Sequence, residues 1–332
     1  AGLGTEGRNG FLLAIEEDNA AGGYLGRKFE PLVRDNQMDQ ETARKITRDL
    51  IDEGVVAIIG PMTSQMALAE EPISRYARRP MIAPTVSTNL LSERDDYFFR
   101  VYFTNAQAAD LLAAQLREGG KIHRMAVIYD TANRAYTEDW LHIFRDRFKA
   151  LGGQVVAALP FELSQETLFS EIVAQAVAAN PDGVLLLANA LDTALLCQHF
   201  AKYPTRLERF ATGWSYSDDL IRFGGQAVEG LILLQSVDLS AETARFKVFK
   251  RAYQQRFNKT PNFPALPAYD ATSLLLTALE QPPLHQDLKK KLLSLKNFPG
   301  LQTPLSLNSS GDLRNPQIFL ARVVNGTFVR VE

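Results

Sequence analysis

Short apolar runs rich in β-branched residues alternate with longer amphipathic stretches along most of the chain. Val55-Val56-Ala57-Ile58-Ile59 is apolar throughout and bounded by Gly54 and Gly60. A strand buried on both faces of a parallel sheet reads this way, because neither face meets water. Pro80-Met81-Ile82-Ala83, Met125 to Tyr129, Val184 to Leu187 and Leu231 to Leu234 repeat the pattern. Between them apolar positions recur at helical spacing: Ala43, Ile46 and Leu50 on one helix, Trp140, Phe144 and Phe148 on another, Ile172, Ala176 and Ala179 on a third. Further helices are expected over Asn9–Asn19, Ala241–Phe257 and Tyr269–Leu279, with a Pro-rich loop from Pro261 to Pro267. Ile318–Val324 and Thr327–Val331 read as a hairpin turning at Asn325-Gly326.

Strand–helix alternation predicts an α/β protein built from βαβ units, with parallel-type sheets flanked by helices. There are more units than one sheet of ~150 residues needs. One sheet is placed in the first ~104 residues and a second over about 105–237, with Phe98 to Phe103 as an extended segment between them. The first helix has no strand before it, which leads us to expect an upstream strand outside this sequence.

Composition narrows the function. The 332 residues carry 36 basic and 38 acidic side chains, for a net charge of -2. That balance argues against a nucleic-acid partner, which usually requires a basic face. Hydrophobic residues make up 46%, enough to exclude intrinsic disorder. The single cysteine, Cys197, excludes an intrachain disulfide and a Cys-based zinc site, and it falls in an apolar helical stretch as a core residue. No run of about 20 apolar residues exists to span a membrane.

Catalytic signatures are absent. Gly2-Leu3-Gly4-Thr5-Glu6-Gly7 matches G-x-G-x-x-G, but Asp35, the acid after the next strand, lies 28 residues past Gly7, where a dinucleotide site places it at about 20. A glycine-rich loop leading into a helix is the plainer reading. Gly213-Trp214-Ser215-Tyr216-Ser217 fails the nucleophile-elbow pattern at its last position. His123, His142, His199 and His285 are scattered, with no helical pair to hold zinc. We therefore expect no enzyme activity, no metal and no cofactor.

The loops after strands say more, since ligands of open parallel sheets bind at the strands' carboxyl ends. Gly60-Pro61-Met62-Thr63-Ser64-Gln65 turns the chain and puts hydroxyls where a helix cap belongs. Pro84-Thr85-Val86-Ser87-Thr88 does the same one unit later. Either loop alone is ordinary helix capping. Two on consecutive units, offering hydroxyls and backbone N–H groups, suit a carboxylate.

The motifs Asn9-Gly10, Ala14 to Gly23, Asp35-Asn36, Ile58 to Pro61, Ile82 to Thr85, Phe99-Arg100, Tyr129-Asp130, Val228 to Gly230, Tyr269 to Ala271 and Gly311-Asp312 occur in an order that resembles type I periplasmic solute-binding proteins of the leucine/isoleucine/valine-binding family of ABC transporters. The likeness runs through essentially the whole chain. It implies a two-lobed fold with three hinge crossovers: lobe one over 1–104 and 238–306, lobe two over 105–237 and 307–332. It also implies hinge closure on a ligand in the inter-lobe cleft. Carried over by position, Ser64, Thr85 and Ser87 would hold a carboxylate, with Met62 and Leu3 lining the pocket and Tyr136 covering the ligand. The family's ammonium-binding acid falls at or next to Trp214, and a family aromatic falls on Asn189 or Ala190. Asp192 or Asp218 then stands as a substitute acid, or merely caps its helix. The implied function is a substrate-binding protein of an ABC importer for a small carboxylate, a branched-chain or other amino acid. Alternatives are an aromatic or aliphatic acid lacking an amino group, or a ligand-sensing domain of a receptor. The implied partner is a membrane permease, the implied place the periplasm or cell envelope, and the expected state a monomer.

Overall fold

Residues 2–164, 167–204, 207–282 and 287–331 are described by the computed structural model. His285 lies outside them. The chain divides into two compact units, Ala1–Phe103 with Val237–Pro316, and Thr104–Ser236 with Gln317–Glu332.

The first unit opens with α1 (Gly2–Ala21), followed by α2 (Gln40–Asp52), β1 (Ile58–Ile59), α3 (Ser64–Tyr76), β2 (Met81–Ala83) and β3 (Phe98–Arg100). The three strands form a parallel sheet in sequence order. Alternation along β2 and β3 explains why the sequence is apolar throughout. Met81, Ala83 and Phe98 join Ile58, Ala67 and Leu91 in one core cluster, whereas Ile82 and Phe99 join Ala271, Leu274 and Leu292 in another. Both faces are covered, as a parallel sheet requires.

The chain then builds the second unit: α4 (Asn105–Glu118), β4 (Arg124–Asp130), α5 (Arg134–Ala150), β5 (Gln154–Phe161), α6 (Phe169–Ala178), β6 (Gly183–Leu187), α7 (Ala190–Phe200), β7 (Glu208–Ala211), α8 (Asp218–Gly224) and β8 (Ile232–Gln235). A full capping box at Thr104 and Gln107 starts α4. Trp140, Phe144 and Phe148 form a buried ladder on α5, with ring centroids 5.5 and 5.2 Å apart. The chain returns to the first unit for α9 (Ala244–Phe257), α10 (Ala265–Glu280), α11 (Leu288–Ser294) and the short pair β9 (Phe298–Pro299) and β10 (Pro304–Leu305). The antiparallel hairpin β11 (Phe319–Val324) and β12 (Thr327–Val331) completes the second unit's sheet. That sheet has seven strands in the order β12-β11-β8-β7-β6-β4-β5. Glu229 accepts from the backbone N–H groups of Asn325 and Gly326, which fixes the hairpin turn.

Several expectations are corrected. The glycine-rich start is not a loop, since α1 already runs through it from Gly2. Two glycines of this helix serve close packing: a Cβ on Gly10 would lie 2.1 Å from the Ala265 carbonyl oxygen, and one on Gly7 would lie 2.5 Å from the Met62 methyl. No strand precedes Asp35, and the strand expected over Val55–Ile59 pairs only at Ile58 and Ile59. The buried face of α6 is Phe169, Val173 and Ala176, so Ile172 sits at its margin. The Pro-rich loop is shorter than expected, because Pro267 lies in the first turn of α10, where the N–H that proline lacks has no helical partner.

The last boundary falls after Pro316 rather than at 306. Residues 307–316 stay with the first unit because Arg100 and Asp312 form a buried ion pair of 2.7 Å there. The carbonyl oxygen of Gly311, at φ +83°, accepts from Arg100 N, and a Cβ on it would lie 2.5 Å from the Phe98 carbonyl oxygen.

Candidate functional site

In the first unit the two hydroxyl-rich loops are joined directly. The loop after β1 passes through Gly60-Pro61, a cis peptide, into α3. Thr63 is the residue before the helix, with extended backbone, but its hydroxyl makes no cap and lies 3.5 Å from the Met38 sulfur. Ser64 begins the helix, and its Oγ accepts from Thr88 N at 3.3 Å. Thr85 Oγ1 donates to the Met62 carbonyl at 2.5 Å. The second loop does not enter a full helix as expected. It leads into a 3-10 turn, Asn89–Leu91, capped by Thr88. Four of the residues singled out, Met62, Ser64, Thr85 and Ser87, are thus gathered at the carboxyl ends of neighbouring strands. Ser64 and Ser87 are buried. Leu3 is one turn before Gly7 on α1, the position that packs on Met62.

Beneath this loop lies a group whose part the sequence did not disclose. Arg100, fully buried, donates from Nη1 to the Thr88 carbonyl at 2.8 Å, from Nη2 to Ser92 Oγ at 3.1 Å and from Nε to Asp312. Its three-way fork fixes the loop that carries Ser87 and Thr88. The signal was present, since Phe99-Arg100 and Gly311-Asp312 are both family-like motifs. Their pairing across 212 residues is a product of the fold.

The second unit has a different constellation, at the carboxyl ends of β4, β6 and β7. Tyr136, buried in the first turn of α5, meets Trp214 edge to face, with centroids 5.6 Å apart and planes at 86°. Burial pushes the Tyr136 hydroxyl well above its ordinary range, so it remains protonated as a donor. Asn189 caps α7, its side-chain oxygen accepting from Leu191 N and Asp192 N. Its Nδ2 donates to Asp192 Oδ2 at 2.6 Å. Burial pushes the Asp192 carboxyl up to about 6, with Asn189 opposing the shift and the Asp130 charge adding to it. The Thr193 and Ser215 hydroxyls share a 2.9 Å hydrogen bond, and Ser215 Oγ donates to the Ala188 carbonyl, so the loops after β6 and β7 are tied together. Thr137 Oγ1 donates to the Asp130 carbonyl and ties in the end of β4. Tyr136, Asn189, Asp192 and Trp214 are therefore one group. Asp218 begins α8 and is exposed.

Among the described residues no His/Cys/Asp/Glu group is arranged to hold a metal, and no helix is long and apolar enough to cross a membrane. Cys197 is buried in α7, which pushes its thiol up to about 11 and keeps it protonated.

Comparison with known proteins extends the picture across the whole chain. The family model described as periplasmic binding protein matches residues 1–327. A leucine/isoleucine/valine-binding protein homolog of Brucella suis is 25% identical over 303 residues, covering 84% of this chain and 73% of the relative. A leucine-binding protein of Thermotoga maritima superposes with a TM-score of 0.89 at 24% identity, covering 100% of this chain and 94% of the other. A solute-binding protein of an ABC transporter from Rhodopseudomonas palustris, solved with 3,4-dihydroxybenzoic acid, superposes with a TM-score of 0.87 at 23% identity, covering 99% and 92%. The strand-end loops, the two-unit α/β architecture and the match over residues 1–327 agree: this chain belongs to the periplasmic binding protein family.

Proposed function

We propose that the protein is the substrate-binding component of an ABC importer and captures a small carboxylate. The observation that carries this reading is the joined pair of loops in the first unit. Ser64, Thr85, Ser87 and neighbouring backbone amides are collected at the carboxyl ends of β1 and β2 and held by Arg100. Charge-assisted hydrogen bonds from such groups hold a carboxylate without a lysine or arginine touching it. The names of the relatives support a ligand of this kind, an amino acid in some and an aromatic acid in another. A ligand that prefers a closed form shifts the population toward it by its differential affinity. A micromolar ligand supplies about 8 kcal/mol for this. The proposed role is transport rather than catalysis, in the periplasm, with a membrane permease as partner.

Calorimetric titration of the protein with amino acids and with benzoates tests the site. Ser64→Ala combined with Ser87→Ala should weaken the best ligand by ~1.5–3 kcal/mol for each bond lost. Unchanged affinity in a folded double variant refutes the assignment of the carboxylate to these loops.

A further inference from the structure

Five methionines lie along the chain, and the fold treats one of them differently. Met66, Met81 and Met125 are buried, and Met62 is half-buried against Gly7. Met38 is 45% exposed. It sits in the turn before α2 at φ +59°, directly after Gln37 at φ +55°. Two successive left-handed residues that are not glycine are costly, so other bonds must hold them. Asp35 Oδ1 accepts from Gln37 N at 2.9 Å, Asn36 Oδ1 from Met38 N at 3.2 Å, and the Asn36 carbonyl from Asp39 N at 2.9 Å. Asn36 Nδ2 donates to Glu70 Oε1 at 3.2 Å, which ties the turn to α3. The turn thus keeps the Met38 thioether at the surface in a fixed place.

One side of that sulfur is already taken. Thr63, 7% exposed, donates its hydroxyl to Met38 Sδ at 3.5 Å. A thioether is a weak acceptor. Thr63 occupies the cap position of α3 with φ -121° and ψ 149°, the extended backbone from which a threonine hydroxyl ordinarily accepts from first-turn amides. It makes no such bond, whereas Thr104 and Thr243 cap α4 and α9 in just this way. The sulfur therefore diverts a hydroxyl from a place that it fits.

We propose that Met38 is a modification site for two-electron oxidants of the hydroperoxide class, and that its oxidation redirects the Thr63 hydroxyl from the sulfur to the N-terminus of α3. The exposed lone pair of the sulfur attacks the terminal oxygen of R–O–O–H. The O–O bond breaks as the S–O bond forms, and sulfur gives up two electrons to the peroxide. The proton passes to the departing oxygen, which leaves as R–OH, or as water when the oxidant is hydrogen peroxide. Because Thr63 covers the other lone pair, one sulfoxide epimer forms, with its oxygen toward solvent. The oxidised sulfur no longer competes for the hydroxyl, which turns to the first-turn amides of α3. A dithiol-dependent sulfoxide reductase reverses the step, releasing the oxygen as water and leaving a disulfide. Ser64 is the next residue, so the change falls beside the hydroxyl-rich loop, but the proposal stands independently of the carboxylate function.

Hydrogen peroxide treatment of the full chain, followed by peptide mass spectrometry, tests the site. Met38 should oxidise at least about tenfold faster than each of the other four methionines, and all five should react at similar rates in urea. The peptide carrying oxidised Met38 is then offered to the two classes of sulfoxide reductase, each specific for one epimer. One class alone should reduce the peptide from wild type. Thr63→Val keeps the shape and loses the donor, so its peptide should be reduced by both. Amide exchange in the first turn of α3 should slow severalfold when wild type is oxidised, and not when Thr63→Val is. Exchange of the β2 and β4 amides at the wild-type rate shows that the variant is folded. Another methionine oxidising as fast as Met38 overturns the site. Both epimers from wild type, or the same change in exchange with and without the Thr63 hydroxyl, overturns the redirection.

Discussion

The two units use the same strand–helix grammar and put opposite chemistry at their strand ends. In the first, the loops after β1 and β2 offer hydroxyls and amides, and the buried charge nearby is settled within the unit by the Arg100–Asp312 pair. In the second, the loops after β4 and β6 offer carboxylates, and one buried oxygen of Asp192 has no donor among the described residues. A closed network keeps a loop in one shape, whereas an open one stores a cost that a ligand can relieve. The difference teaches that a binding group is recognised less by which residues it contains than by which of their bonds remain unmade.

The largest test of this contrast lies in the first unit. Arg100→Leu leaves Asp312 buried and unpaired and releases the Thr88 loop. Breaking one partner of a buried ion pair costs about 3–5 kcal/mol, which urea unfolding would read as a lowered midpoint. A loss below ~1 kcal/mol would mean that the network does not hold this loop. A smaller effect is expected between Tyr136 and Trp214. A double-mutant cycle with Tyr136→Leu and Trp214→Leu should give a coupling of ~0.5–1.5 kcal/mol, and zero coupling would remove the edge-to-face contact from the argument.

The smallest effect carries the opposite sign. Because burial raises the Asp192 carboxyl to about 6, the folded protein binds that proton more tightly than the unfolded chain. Its favourable contribution is full below pH ~4 and is lost as pH rises through about 6. Asp192→Asn should therefore stabilise the ligand-free protein at pH 8 and change little at pH 4. Destabilisation at pH 8 would mean that the carboxylate is already satisfied without ligand.

The strands with continuous apolar runs were legible because burial on both faces leaves no polar position to interrupt them, as in β2, β4 and β6. The terminal hairpin was legible because Asn325 and Gly326, at φ +50° and +69°, sit in the left-handed region that few other residues accept. Three features were not. The glycines of α1 look like a loop when read locally, and only the approach of Ala265 to Gly10 and of Met62 to Gly7 shows these two to be contact points on a helix. The strand before Asp35 was expected from unit grammar, but residues 28–36 form no ladder. At the carboxylate site, Ser64 and Ser87 were legible as hydroxyls at strand ends, whereas Arg100 was not, since nothing around position 100 announces Asp312.

The sequence by itself determined most of the strand and helix stretches, the parallel-type core of both sheets, and which loops carry hydroxyls or acids. Those properties depend on neighbours within one or two turns, and the alternation of side chains encodes them directly. Only the tertiary structure decided that Phe99-Arg100 meets Gly311-Asp312, that residues 307–316 belong to the first unit, and that Asp192 keeps an oxygen without a donor among the described residues. Each of these is a statement about partners far apart in the chain, and whether a buried charge is satisfied depends on what the fold brings to it.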